Sequence, residues 1–551
     1  MSVVERTAVN PWRRASGLLL ALAALGSQVV GVPAAAGPTP EQLAENTPAL
    51  AALGSQVVGV PAAAGPTPEQ LAENTPVRIQ SGGTVGADDK KEFEVWAIDQ
   101  SNSPGVPFGG LLNIYDGHEL VEDAGAAVPE VVDLAGASRD LCREHTGSDP
   151  VRPHSVLFNS SHSHAVIAFV ASGHVLFMET ATRAPVRCIQ MSMGSDGVRQ
   201  AHAAFPAPND AYVLVANQGG KLLERINTDA NNNGQAYENA TDIVHDTAAT
   251  LNLATCITPN GVACETPGVA PRPNNSLVGP MIDRNSALAF LTLSGGGLLV
   301  VDSRTGRAPP PIVAEYDNTA IQANGFGGMQ KGAVTSDHIY LNSGAGGTNV
   351  SGADLYSLRL AAFPTAPAFN APNSPAPTVV FSHDGPGHDS HGLLLLNPVG
   401  KRRFLWAADR PANAIEVVDT TKDTLVNSFS IVSEHSADPA PELFELSPGG
   451  SYAFVSLRGP CPVTGNVPGV NNAVGDTPGV GVLRIRRGGR SGTLLGIAPI
   501  DNVDGTIVSC SPSGAPASNN RGDVHGIAVR VLYEDEGART PPPVDHDLER
   551  R

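Results

Sequence analysis

Positive charge is scarce in this sequence: 35 Lys+Arg stand against 54 Asp+Glu, a formal net charge of −19, and charged residues of both signs make up only 16 % of the 551 positions. A basic footprint for nucleic acid is missing. Aromatic residues are few as well, at 5 %, whereas 59 Gly and 46 Pro are too many for a helical bundle, because both residues break helix interiors. No G-x-x-x-x-G-K-[ST], H-E-x-x-H or G-x-S-x-G occurs, which removes sequence support for P-loop nucleotide hydrolysis, zincin proteolysis and serine esterase chemistry. No C-x-x-C spacing occurs either, so the six cysteines do not read as a zinc site. What remains is a turn-rich, aliphatic chain with a mean hydropathy of −0.05, longer than one ordinary domain unless its architecture repeats.

Residues 1–36 read as a secretory signal peptide. Arg13 and Arg14 form a short basic region, ASGLLLALAAL an apolar one, and Ala34-Ala35-Ala36-Gly37 a small-residue cleavage context, with Gly37 as the expected mature start. A membrane anchor is the competing reading, but Ser27, Gln28 and Pro33 interrupt the apolar run before the ~20 residues a span requires. The mature chain is therefore expected to be secreted or periplasmic, with no integral span. Ala21–Pro48 recurs letter for letter as Ala49–Pro76. Structural repeats need only similar patterns, so perfect identity points to recent copying or an assembly error rather than to two folded units. Residues 37–91 are expected to be a disordered linker and 534–551 a disordered tail.

Between these, residues 92–533 carry a divergent repeat: a strand ending in a small or polar residue, a turn, and a second strand often ending in Asp or Glu. Seven such hairpins open near Glu94, Ala165, Tyr212, Ala287, His338, Arg403 and Tyr452. Alternating aliphatic runs at this spacing suit four-stranded blades, since one blade cannot bury both of its faces alone. The fold class expected is all-β, a seven-bladed β-propeller. Asp523–Arg530 looks like an inner strand lacking its hairpin, and the segment from Glu92 supplies a hairpin lacking its inner strand. Joining the two would close the ring from both chain ends.

The stretch HGLLLLNPVGKRRFLWAADRPANAIEVVDTTKDTLV, His391 to Val426, resembles the YVTN-type repeat of YncE-like propellers. Asn397-Pro398-Val399-Gly400 stands at the repeat's turn, Trp406-Ala407-Ala408-Asp409 at its Y-V-x-N segment and Val417-Val418-Asp419-Thr420 at its end, while Ser447-Pro448-Gly449-Gly450 marks the same turn one blade later. The resemblance implies the fold over about residues 92–530; for function it implies only a class that holds binding proteins, lactonases, oxidases and scaffolds alike.

In an exported chain six cysteines suggest up to three disulfides. Cys256 and Cys264 flank a short loop, and Cys142 with Cys188 and Cys461 with Cys510 are the next most economical pairs. Candidate chemistry lies with histidines at the starts of inner strands: His154, His202, His391 and His525. Four imidazoles from four blades, converging at one channel mouth, would suit copper, zinc or iron(II). Copper-binding propellers such as methanethiol oxidase are similar in using channel histidines. Glu442, opening the seventh inner strand, is a possible further channel group. The competing reading gives each strand-start histidine only a hydrogen bond to the neighbouring blade. Asp229-Ala230-Asn231-Asn232-Asn233-Gly234 matches the start of a calcium loop but has Ala240 where the bidentate Glu belongs, so a plain turn is expected. His383, His388 and Asp389 read as a solvated loop between blades. The function expected is binding of a protein or small-molecule partner at the channel mouth. A copper-type metal-dependent oxidoreductase is the alternative, and a lactonase-like hydrolase the third.

Overall fold

The computed structural model describes residues 91–322, 338–343, 352–363, 374–383, 387–396, 404–464, 473–508 and 518–532. The segments expected to be a signal peptide, a linker (up to residue 90) and a tail, the duplication within them, and Cys510 with its expected pairing to Cys461 lie outside the described residues.

Among the described residues seven antiparallel sheets are arranged as the blades of a β-propeller, and an eighth sheet pairs Val503–Val508 with Ser518–Asn520; the seven hairpins read from the alternation are the second and third strands of six blades and the first two of the three described strands of blade 5. Alternating aliphatic residues face both neighbouring sheets, so these strands are buried nearly throughout, as at Tyr212–Asn217 and Leu288–Leu293. Blade 2 comprises Pro153–Phe158, His164–Phe169, His174–Glu179 and Pro185–Gln190, and blade 3 comprises Ala201–Pro206, Tyr212–Asn217, Leu222–Asn227 and Val244–Asn252. Blade 4 runs from Leu277–Ile282 to Ile312–Tyr316, blade 6 from Ser390–Leu396 to Thr424–Ser430, and blade 7 from Pro441–Leu446 to Ser491–Pro499. Blade 5 shows His338–Ser343, Asp354–Arg359 and Thr378–Ser382 among the described residues.

Blade 1 is built from both ends of the chain. Val524–Val531 is its inner strand and pairs antiparallel with Phe93–Asp99, Trp96 lying opposite Ala528. The expected closure is thus present, and it leaves no inner edge unpaired in this blade. Trp96, fully buried, meets Phe158 of blade 2 edge to face at 5.1 Å, so aromatic packing joins the closing blade to the next.

Two short helices were not foreseen from the strand pattern. Helix α1, Gly117–Glu122, is capped by Asp116, whose carboxylate accepts from the His118 and Glu119 N–H groups. Helix α2, Ala137–Thr146, ends at Gly147 in the left-handed conformation (φ 78°). Cys142 on α2 is bonded to Cys188 on the outer strand of blade 2, which staples the helix over that sheet edge. Cys256 and Cys264 form the second expected bridge. Cys461 is also disulfide-bonded. Asp229 spends both carboxylate oxygens on the N–H groups of Asn233 and Gly234, so the Asn-rich segment is a plain turn, as expected. Among the described residues no helix is long and apolar enough to cross a membrane.

Candidate metal centre

One structural device repeats at the start of the inner strands. In six blades the ladder skips the second inner-strand residue: pairing passes from Pro153 to Ser155, Ala201 to Ala203, Leu277 to Gly279, Ser390 to Leu393, Pro441 to Phe444 and Val524 to Ile527. A bulge frees a residue from the pleat and re-aims its side chain. The second residues so freed are His154, His202, Val278, His391, Glu442 and His525, and in blades 6, 7 and 1 the third residues, Gly392, Leu443 and Gly526, are skipped with them. Blades 6, 7, 1, 2 and 3 are consecutive around the ring, so the polar members form one continuous arc in the order His391, Glu442, His525, His154, His202.

Contacts along this arc are short. The Nε2 atoms of His391 and His525 lie 3.2 and 3.1 Å from the same oxygen, Glu442 Oε1. The His525 and His154 rings stack at 3.7 Å between centroids, and His154 Nε2 stands 3.2 Å from His202 Nε2. Ligand atoms of His391, Glu442 and His525 all fall within 4.8 Å of one another. The four histidines and Glu442 named from the sequence are therefore brought together in one connected arc.

Hydrogen bonding fixes which nitrogens face inward. His525 Nδ1 meets the His154 carbonyl at 2.9 Å, and His202 Nδ1 meets the Val278 carbonyl at 2.7 Å. A carbonyl only accepts, so both Nδ1 atoms carry the proton. His154 Nδ1 meets Gln100 Oε1 at 2.9 Å, and that amide is oriented by its own Nε2–H, which donates to Asp523 Oδ2 at 2.8 Å. Thr464 also donates its hydroxyl to Gln100 Oε1, so His154 too is protonated on Nδ1. In their neutral forms these imidazoles turn Nε2 lone pairs inward. The neighbouring-blade hydrogen bond and the channel-facing nitrogen, competing readings at the level of sequence, thus belong to the same side chains.

Close approach of the backbones makes this possible. A Cβ on Gly392 would sit 2.2 Å from the Glu442 carbonyl oxygen, and one on Gly526 would sit 3.0 Å from that of His154. Glycine after the strand-start histidine lets each inner strand pack directly on the next.

Lone pairs facing lone pairs repel unless a cation lies between them. Glu442 Oε1 makes no hydrogen bond among the described residues despite its two imidazole neighbours, and the whole side chain is buried. Protonation is a poor remedy at neutral pH. Burial, reinforced by the neighbouring His525, His202 and Arg458 side chains, holds His154 well below its ordinary range, and burial takes His202 to about 4. His391 is likewise lowered by burial, against the opposing pull of Glu442.

Behind the arc runs a buried ionic chain that the sequence reading did not find. Glu442 Oε2 accepts from Arg410 Nη1 at 2.8 Å and faces Arg458 Nη1 at 3.1 Å. Arg410 is held by Asp389 through Nε at 2.9 Å and through Nη2, and Arg458 Nε donates to Asp523 Oδ1 at 2.6 Å. Burial alone would raise the Glu442 carboxyl, but Arg410, His391, Arg458 and His525 outweigh it and hold the group well below the usual carboxylate range. Two guanidiniums against the three carboxylates Asp389, Glu442 and Asp523 leave one negative charge in excess beside the arc. The available signal was a doublet, Asp389-Ser390-His391-Gly392 and Asp523-Val524-His525-Gly526. Asp389 is accordingly corrected: it is 1 % exposed and ion-paired with Arg410 rather than part of a solvated loop.

His391, Glu442 and His525, whose ligand atoms lie within 4.8 Å of one another, are a donor set that fits a first-row divalent ion. Atoms 3.1–3.2 Å apart subtend roughly 100° at an ion about 2.0–2.1 Å from each, between octahedral and tetrahedral angles. His391 keeps 17 % of its side-chain surface exposed against 2 % for His525, so the more accessible flank of the site lies on the blade 6 side.

No protein-family model matches the chain, and no curated protein sequence matches it. Among solved structures, the chain is similar to the Cps50 (Swd1) β-propeller domain of Myceliophteria thermophila, with a TM-score of 0.40, 10 % identity, and coverage of 66 % of this chain and 96 % of that one. It is also similar to the dihydro-heme d1 dehydrogenase NirN, with a TM-score of 0.41, 11 % identity and 77 % of each chain covered. Kuenenia stuttgartiensis hydrazine synthase gives a TM-score of 0.38 and 12 % identity over 60 % of this chain and 76 % of that one. The seven-bladed propeller itself is established by the sheet topology described above.

Proposed function

We propose that the protein is an exported, YncE-like propeller that holds one divalent transition-metal ion at its channel mouth, between His154, His202, His391, His525 and Glu442, and binds a small ligand there. The observation that carries this reading is the close set of imidazole Nε2 atoms, three of them on rings whose Nδ1–H is spent on a carbonyl or amide oxygen, around a buried carboxylate oxygen that makes no hydrogen bond among the described residues. Nδ1–H bonds to carbonyls are the outer-shell arrangement that orients metal-ligating histidine. The disulfides support the exported reading. With copper or iron and an open coordination position, the same centre would serve as an oxidoreductase site. With a redox-inactive ion it would serve as a binding site or a lactonase-like hydrolase centre.

The test is elemental analysis and X-ray absorption of the mature chain, purified without metal affinity steps and dialysed after exposure to Cu²⁺, Zn²⁺, Mn²⁺ and Fe²⁺ in turn. One of these ions is expected to stay bound with nitrogen and oxygen neighbours at about 2.0–2.1 Å. His202→Ala should lower its retention without unfolding the ring, whose inner strands are held by their ladders. Retention of no ion from this set would remove the metal reading and leave partner binding alone.

A further inference from the structure

A second cluster stands apart from the channel arc, where blade 5 meets blade 6. His383 follows Thr378–Ser382, the last of the three described strands of blade 5, His388 lies in the loop entering blade 6, Asp409 ends the second strand of blade 6, and Glu416 sits in its third strand, Ala414–Asp419. The two imidazoles stack at 4.5 Å between centroids. His388 Nδ1 lies 2.5 Å from Asp409 Oδ2, and His383 Nε2 lies 3.3 Å from Glu416 Oε1. Ligand atoms of His383, His388 and Asp409 fall within 4.8 Å of one another.

Both carboxylates are buried, Asp409 at 1 % exposure and Glu416 at 5 %. A buried carboxylate needs its lone pairs satisfied. Glu416 Oε1 receives the Ser428 hydroxyl at 3.2 Å, but Glu416 Oε2 makes no hydrogen bond among the described residues, and neither does His383 Nε2. Two buried carboxylates and two imidazoles, with unmet atoms on the neighbouring Glu416 and His383 side chains, are an arrangement that a cation completes.

We propose that His383, His388, Asp409 and Glu416 form a second divalent-cation site that ties blade 5 to blade 6. The donor set, two imidazole nitrogens and two carboxylates, is of the kind that takes Mn²⁺, Co²⁺, Fe²⁺ or Zn²⁺. Asp409 reaches the channel network through its other oxygen, since Oδ1 accepts the Asp389 N–H at 3.1 Å and Asp389 holds Arg410. An ion here would therefore fix the carboxylate on which the outer end of the Arg410 chain is seated. The site has its own ligands and stands whether or not the channel arc binds metal.

Co²⁺ titration of the full mature chain in a Glu442→Gln background isolates this site, with visible d–d absorption and isothermal calorimetry as readouts. One equivalent is expected to bind, with a spectrum of nitrogen and oxygen ligation and a rise in the thermal midpoint. Adding Glu416→Gln, which keeps the side chain's shape, should weaken binding at least tenfold, and adding His383→Ala should abolish the spectrum. Circular dichroism of each variant in the metal-free state controls for folding. Absence of binding in the Glu442→Gln chain, or an unchanged isotherm on adding Glu416→Gln and His383→Ala, would overturn the proposal and leave two histidine–carboxylate pairs as a purely structural joint.

Discussion

Glu442→Gln separates the two jobs that the structure gives to one buried carboxylate. Oε2 is the acceptor between Arg410 and Arg458, and Oε1 faces His391 and His525. Removing one partner from a buried ion pair commonly costs about 3–5 kcal/mol. Here the loss belongs at or below the lower end of that range, because Arg410 keeps Asp389 and Arg458 keeps Asp523. The glutamine amide can keep its oxygen toward the guanidiniums and turn its NH₂ toward the two imidazoles, 3.1–3.2 Å away. New neutral hydrogen bonds contribute about 1 kcal/mol each, so the metal-free ring should lose only about 1–2 kcal/mol. For a domain of this size that is a fall of roughly 1–3 °C in the thermal midpoint.

Metal binding should respond very differently. Loss of an outer-shell partner alone costs about 10–100-fold in affinity, and Glu442 is the carboxylate donor itself, so a loss of roughly 100-fold or more is expected. The assay is competitive metal titration of the wild-type and Glu442→Gln chains, alongside denaturant unfolding of both in the presence of a chelator. An affinity for the channel ion within threefold of wild type would refute the ligand role of Glu442. A metal-free destabilisation above about 5 kcal/mol would refute the claim that the amide can satisfy the arc.

Gly392→Ala should destabilise the ring by about 1–3 kcal/mol and weaken the channel site, because the new methyl would press on the Glu442 carbonyl; Gly387→Ala, which meets open space, is the control in the same segment. His174 is fully buried between the hydroxyls of Thr146 and Ser172, and burial, aided by Arg199, depresses it to about 4. The unfolded chain binds this proton near pH 6.5 and the folded one only near pH 4, so the stability it contributes is complete above pH 6.5 and lost as pH falls through that window. Asp99 and Asp389, raised by burial to about 6, act in the opposite sense, gaining stability as pH falls below 6. His174→Gln should therefore flatten the acid side of the wild-type profile by about one proton, or about 1.4 kcal/mol per pH unit, in denaturant melts between pH 4.5 and 6.5. An unchanged slope would contradict a buried neutral His174.

The propeller was legible because its signals are local. A hairpin is announced by alternation within six residues and by Gly, Asn or Asp at its turn, and seven were visible at Glu94, Ala165, Tyr212, Ala287, His338, Arg403 and Tyr452. Closure was legible for the same reason, since each end offered half a blade. The first helix is hard to see in the sequence although Asp116 and Glu119 carry a capping signal, because it is a short turn set between two strands, Leu111–Asp116 and Glu130–Asp133. Arg410 and Arg458 were missed for a different reason. Each follows the end of a second strand, and its partners, Asp389 and Glu442 for one, Asp523 and Glu442 for the other, are joined to it only by the curvature of the ring.

The histidines show how a local pattern can name residues without deciding their role. From the sequence, a strand-start imidazole either bonds the next blade or points down the channel, and a one-residue slip would exchange the two. The bulge removes that choice by lifting the second residue out of the pleat, so that Nδ1 reaches the neighbouring carbonyl while Nε2 faces the adjoining member of the arc. Val278 tests the logic, since it occupies the equivalent place in blade 4, offers its carbonyl to His202, and has no side-chain donor to pass on. On the described side of the ring the arc therefore ends at the first blade whose bulge carries an apolar residue. The site's extent is set by side-chain identity at one repeated backbone position, and its inward nitrogens by the hydrogen bonds that hold neighbouring blades together.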